Sequence, residues 1–267
     1  MKTTLLSLNW RWNTSAVLGS VIATAGIGAE PFALHSGPKQ VSVIELFSSE
    51  GCSSCPPADR WLGALEKETG LWRDFVPVAF QVDYWDHLGW KDRFATRENT
   101  ERQVRYAETG HSSNVYTPEF MLNGNEWRAW GRVTDIAKRA KVDAGVLEVE
   151  GVSTNRFQVT YQPPIGAQGD WDVTAAWVGS NLMSDVARGE NSGRKLPHHF
   201  VVLGSSVFRL KPTDGKLTAS FSFGPPSDAG NARLAFLSWV TRRDDQVPVQ
   251  ALGGWWRAEP GSAASLH

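Results

Sequence analysis

The chain has 267 residues, 41% of them hydrophobic and 21% charged, with a formal net charge of −1. This ordinary globular balance supplies enough apolar material for a core without a disulfide framework. No Lys/Arg run or basic patch is present, which argues against a nucleic-acid partner. The length suits one large domain or two modest ones. Thirteen tryptophans either pack a β-rich core or form an aromatic contact surface. The two cysteines share one Cys-x-x-Cys, so no further thiols remain for a four-ligand zinc site.

The N-terminus has the order of an export signal. Lys2 and Arg11 flank a polar start, residues 16–25 are apolar, and small residues lead to Ala29 before Glu30. Residues 1–29 are therefore expected to be a cleaved signal peptide. Its apolar run is too short for a hydrocarbon layer of ~30 Å. No other stretch is long and apolar enough for a membrane helix, so no stable span is expected after cleavage. A periplasmic or secreted location follows, where paired thiols meet oxidising conditions.

Residues 41–47 (VSVIELF) form a β-branched apolar run, the pattern of a buried strand. A loop over 48–57 follows. From Pro56 the pattern turns helical, with Trp61, Leu62 and Leu65 on one side and Gly70 as terminator. Residues 76–82 read as a second strand and 97–108 as a second helix. Thr117-Pro118 leads into a strand over 119–123, and Asn123-Gly124 marks a hairpin. Another helix is expected over 133–142. Beyond Gly145, alternating runs at 157–161, 172–178, 216–223 and 234–240 are separated by Gly/Pro turns. They indicate an antiparallel sandwich or packed sheet.

The Cys52-Ser53-Ser54-Cys55 pair sits where the first helix begins. A thiolate is the attacking species in disulfide exchange. Unpaired amides and the partial positive charge of a helix N-terminus favour that anion. Cys52 is thus the expected nucleophile, and Cys55 is placed to resolve the mixed disulfide. Glu50 opposes the thiolate electrostatically, whereas Ser53 and Ser54 could donate hydrogen bonds to it. The direction of electron flow stays open.

A strand, a Cys-x-x-Cys loop, a helix and a later Thr-Pro entering a strand together resemble thioredoxin-like oxidoreductases. The runs ELFSSEGCSSCPPAD (45–59), VDYWD (82–86) and YTPE (116–119) resemble an uncharacterised secreted bacterial family of that type. The resemblance implies an α/β thioredoxin-like domain over 38–145, followed by a β-rich, sandwich-like domain over 146–258. It implies that Pro118 is cis beside the cysteines and that Thr117 offers backbone hydrogen bonds to a bound peptide. It also casts Glu45 as the buried acid that takes a proton from the resolving cysteine.

The resulting expectation is an exported thiol–disulfide oxidoreductase acting on protein or small-molecule thiols and disulfides, with no cofactor. The alternatives are a binding module with a structural disulfide and a copper(I) thiol carrier with His87 as a third ligand. Asp83, Asp86 and His87 match no standard metal spacing and are read as shaping the rim of the site. His198 and His199 are adjacent, so on a strand they point to opposite faces, and a structural role is expected. The polar loop Glu190-Asn191-Ser192-Gly193-Arg194 has no assigned mechanism.

Overall fold

In the computed structural model, residues 32–131 and 142–256 are described. The expected signal peptide, and the helix expected over 133–142 except its last residue, lie outside them. The first part of the chain forms β1 (Ala33–His35), β2 (Ser42–Ser48), α1 (Pro56–Ala64) and β3 (Phe75–Gln81). α2 (Arg97–Glu108), β4 (Glu119–Leu122) and β5 (Asn125–Glu126) follow. After Gly145 come β6 (Val146–Ser153), β7 (Arg156–Gln162), β8 (Trp171–Ser180), β9 (Leu182–Asp185) and β10 (Lys195–His198). The chain then runs through β11 (Val201–Arg209), β12 (Lys211–Thr213), β13 (Lys216–Ser222), β14 (Arg233–Arg242) and β15 (Gln250–Trp255).

The strands order themselves into an eight-stranded sheet, β15-β14-β8-β11-β3-β2-β4-β5, and a five-stranded sheet, β1-β6-β7-β13-β12. β9 and β10 form a separate two-stranded ribbon. β2 and β3 run parallel over seven residue pairs, and β4 returns antiparallel to β2. β3 does not end the sheet. It pairs in parallel with β11 at Ala79 and Val201, and the Ala79 amide donates to the Phe200 carbonyl at 2.8 Å.

This pairing corrects the expected fold class. Strand takes up 45% of the described residues and helix 13%, with only two α-helices among them. β2, β3 and β4 do not close an α/β thioredoxin-like domain of their own. They are one end of a mixed sheet whose other end is β11, β8, β14 and β15. The physical reason lies at the edge of β3: its residues are buried, and at Ala79 it joins β11, from a distant part of the chain.

At β8 and β14 the two faces of that sheet meet different cores. On β8, Ala176 and Val178 face the core that contains α1 and α2, while Val173, Ala175 and Trp177 face the five-stranded sheet. β14 divides likewise, with Ala235, Leu237 and Trp239 on one side and Phe236 and Val240 on the other. A strand buried on both faces reads as a continuous apolar run, which is why these two stand out in the sequence. Of the tryptophans, Trp177 and Trp239 are fully buried, in line with core packing.

α1 buries Ala58 and Leu62 on the sheet, with Leu65 in the following 3-10 turn. Their spacing places them on one helical stripe. Pro56 and Pro57 occupy its first turn, where the missing N–H groups cost nothing. α2 starts at Thr96, whose Oγ1 accepts from the Asn99 amide at 3.2 Å. The hairpin between β4 and β5 turns on Asn123 and Gly124, both with positive φ, the requirement of a two-residue turn matched to sheet twist.

Candidate functional site

The chain leaves β2 at Ser48, turns through Ser49, Glu50 and Gly51, and enters α1 at Cys55. The Cys52 amide donates to the Ser49 carbonyl at 3.1 Å, and the Cys55 amide to the Cys52 carbonyl at 3.2 Å. Cys52 and Cys55 form a disulfide with a Cα–Cα distance of 5.4 Å, inside the ordinary range. Cys55 is the N-cap residue of α1, and no side chain caps the helix there. Cys52 Sγ lies 3.3 Å from Ser54 Oγ. Both cysteines are 0% exposed, although Ser53 and Ser54 between them face solvent.

Trp85 links this loop to Thr117-Pro118. A Cβ on Gly51 would lie 2.8 Å from Trp85 Cβ, so only glycine permits that approach. The Trp85 indole Nε1 donates to Thr117 Oγ1 at 2.8 Å. The Thr117–Pro118 peptide is cis. Beside Pro118 opens a groove of about 560 Å³ lined by Tyr116, Phe120, Trp127, Arg128 and Trp130. Trp61 of α1 packs edge-on against Phe120, Trp127 and Trp130, so the groove wall is continuous with the helix that begins at Cys55.

Under the cysteine loop lies a set of buried acids that sequence reading did not assemble. Glu50 Oε2 accepts from Trp90 Nε1 at 2.6 Å, and its Oε1 lies 2.9 Å from His198 Nε2. The Glu50 amide donates to Asp92 Oδ2 at 3.0 Å. Asp59, one turn along α1 from Cys55, accepts from Ser48 Oγ at 2.9 Å. Burial pushes Asp59 up to about 6. Burial, then the nearby Glu50 charge, pushes Asp92 up to about 7. Burial also acts to raise Glu50, but its contacts with His198, Ser184 and Trp90 together hold it below the usual carboxylate value.

Glu45 is placed elsewhere. Alternation along β2 points it, like Phe47, toward α2, whereas Ser48 points toward α1. Its Oε2 accepts from Arg102 Nε at 2.6 Å and its Oε1 from the Tyr106 hydroxyl at 2.7 Å. With both oxygens engaged on the far face, Glu45 is not positioned to take a proton from Cys55.

Asp83, Asp86 and His87 bind close to home. Asp83 Oδ1 accepts from Thr100 Oγ1 at 2.6 Å, and Asp86 Oδ1 accepts from the Asp92 amide at 3.1 Å. His87 Nδ1 lies 2.7 Å from the Tyr84 carbonyl. Among the described residues, no group of three or more His, Cys, Asp or Glu side chains is placed to hold a metal ion. The adjacent histidines diverge: His198 joins Glu50, while His199 packs against α1 so tightly that a Cβ on Gly63 would lie 2.6 Å from its ring.

One sequence signal had been available for the acid set. Asp59 and Glu50 lie within the run around the cysteines, but their partners His198 and Asp92 lie far along the chain. None of the described helices is long and apolar enough to cross a membrane.

A family model described as a protein of unknown function, DUF1223, matches residues 43–241. No curated protein matches the chain. Two solved structures share its fold. A crystal structure of a protein from Agrobacterium tumefaciens is 24% identical, with a TM-score of 0.55, covering 81% of this chain and 93% of that one. HBP35 of Porphyromonas gingivalis is 15% identical, also at a TM-score of 0.55, covering 87% of this chain and 80% of that one. At these identities the likeness is one of fold alone.

Proposed function

The chain belongs to the DUF1223 family, and from the site itself we propose that it is an exported thiol–disulfide oxidoreductase acting through Cys52 and Cys55. One observation carries the reading: a closed Cys52–Cys55 disulfide whose second sulfur belongs to the N-cap residue of α1. The partial positive charge of the α1 N-terminus favours a thiolate there, although Pro56 and Pro57 contribute no N–H to its first turn. The order of residues 1–29 supports export, and a disulfide fits an oxidising compartment.

In the oxidised protein, a partner thiolate attacks Cys52 Sγ. A bond forms between partner and Cys52, the bond to Cys55 Sγ breaks, and Cys55 leaves as a thiolate facing the helix terminus. A second partner thiolate attacks the mixed disulfide and releases Cys52 as a thiolate. The partner dithiol is oxidised to a disulfide, the protein is reduced, and the two partner protons end on the cysteines or solvent. The reverse sequence oxidises the protein. Partners are protein or small thiols, and a polypeptide partner is read along the groove beside Thr117 and Pro118.

Cys55→Ser tests this directly, because it removes the resolving thiol and should leave partners trapped on Cys52. The expected result is a mixed disulfide with a protein or small thiol from native extract, released by reductant. Absence of any adduct, together with no disulfide exchange by the wild type, overturns the reading. The full burial of both sulfurs favours a second reading, a binding protein with a structural disulfide. On that reading Cys52→Ser leaves ligand recognition intact and traps nothing.

A further inference from the structure

Both cysteines are 0% exposed, and the loop that carries them is held in part by a distant segment. Residues 186–194 form the tip of the β9–β10 ribbon, folded on itself by Val186 N to Arg194 O at 3.0 Å and Gly193 N to Val186 O at 2.8 Å. From this tip the Asn191 amide group reaches the cysteine loop. Its Nδ2 donates to the Glu50 carbonyl and to the Cys52 carbonyl, each at 2.9 Å. Asn191 is fully buried, and its Oδ1 accepts from Arg194 Nη1 at 2.6 Å. Next to it, Glu190 Oε2 accepts from the Ser53 amide at 3.0 Å.

These bonds hold the backbone on both sides of Cys52. One side-chain amide satisfies two carbonyls, and one carboxylate satisfies the exposed amide of the intervening serine. The ribbon that carries them belongs to neither large sheet. A two-stranded ribbon alone is marginally stable, so its position depends on what it touches. Its base is anchored where His198 meets Glu50 and His199 meets α1. Its tip turns through Gly189 and Gly193, both at positive φ, and a Cβ on Gly193 would meet open space. The construction is an arm anchored at its base, with Val186 buried and the tip clasped to the cysteine loop by polar bonds.

We propose that the 186–194 tip is an access gate and that Asn191 is its specificity-determining residue. Closed, it withholds Cys52 and Cys55 from small thiols. A partner reaches the sulfurs when the tip lifts, and a polypeptide that replaces the Asn191 and Glu190 bonds to the cysteine loop is favoured over one that cannot. The gate's purpose rests on the redox reading above, but its existence does not, because a structural disulfide would be sealed by the same clasp.

The test is reduction of the oxidised full-length protein by dithiothreitol, followed by alkylation and mass measurement of the freed thiols. One dithiothreitol thiolate opens the protein disulfide, and its second displaces the cysteine, leaving cyclic oxidised dithiothreitol and the reduced pair. In the wild type the rate should level off at high dithiothreitol, because opening becomes limiting. Asn191→Ala should raise that ceiling about tenfold, the effect of losing two hydrogen bonds. Glu190→Gln, at an exposed position that tolerates the change, should raise it by a smaller factor, with melting temperature unchanged. A rate that rises linearly with dithiothreitol at one slope in all three proteins overturns the gate. If Asn191→Ala does not fold, the wild-type and Glu190→Gln curves decide alone. A levelling rate with no adduct on Cys55→Ser keeps the gate and overturns the redox reading. An adduct with a linear rate does the reverse.

Discussion

The core around the cysteines and the core beneath the five-stranded sheet are built on opposite faces of the same strands, yet they bury different chemistry. Among the described residues, the buried carboxylates Glu45, Glu50, Asp92 and Glu119 all lie with the first core. The second is aromatic and aliphatic: Phe157 stacks on Phe236 with centroids 4.5 Å apart, and Trp177 meets Phe236 edge-on. Its Tyr161 hydroxyl donates to the Ala144 carbonyl. A buried charge is costly unless paired, so a fold that needed only stability would build both cores like the second. The difference marks the cysteine end as the part shaped by something besides packing.

The largest expected effects come from cutting one core at its ion pair and the other at its rings. Arg102→Ala leaves the Glu45 carboxylate buried with half its partners gone, and should cost about 3–5 kcal/mol by denaturant unfolding. Replacing both residues with apolar side chains of similar volume should recover most of that loss. Phe157→Ala should also cost about 3–5 kcal/mol, through a cavity, and no polar exchange at its neighbours should rescue it. Equal rescue in both cores would erase the contrast.

A smaller effect separates the cores by pH. Asp92 holds its proton more tightly folded, at about 7, than unfolded, at 3.8. Between those values the folded state carries the extra proton, so stability falls as pH rises through the interval. Asp59 acts in the same direction between 3.8 and about 6. Asp92→Asn should therefore flatten the decline of melting temperature between pH 4 and pH 7, while Phe157→Ala should lower the whole curve without changing its slope. An unchanged slope in Asp92→Asn would break the assignment.

The smallest is local. Trp85→Phe removes the indole donor to Thr117 and should cost about 1 kcal/mol in stability. It should also increase hydrogen exchange of the backbone around Thr117 and leave the second core's exchange unaltered.

What could be read in the sequence follows from distance along the chain. β2, β3 and α1 announce themselves through local apolar periodicity, and β7, β8, β13 and β14 through alternation or continuous burial. The cysteine pair is legible because its partners are three residues apart. β11 was missed because Gly204-Ser205-Ser206 interrupts its apolar pattern, and its partner β3 lies over a hundred residues away. For the same reason Glu50 could not be matched to His198, nor Cys52 to Asn191: no local period encodes a contact across the sheet. Glu45 shows the converse: it lies on the strand that leads to the cysteines, but alternation along that strand turns its carboxylate toward Arg102 and Tyr106 of α2.

The junction of β3 with β11 also governs the order in which the molecule can be completed. β3 emerges from synthesis well before Val201, and until then its outer backbone edge has no partner. A long interval between making a strand and making its neighbour raises contact order and slows folding. It also leaves a ready template for pairing with another copy of the chain. The cysteine half is therefore expected to complete its sheet only after the chain's far end arrives, with residues 75–81 the edge at risk until then.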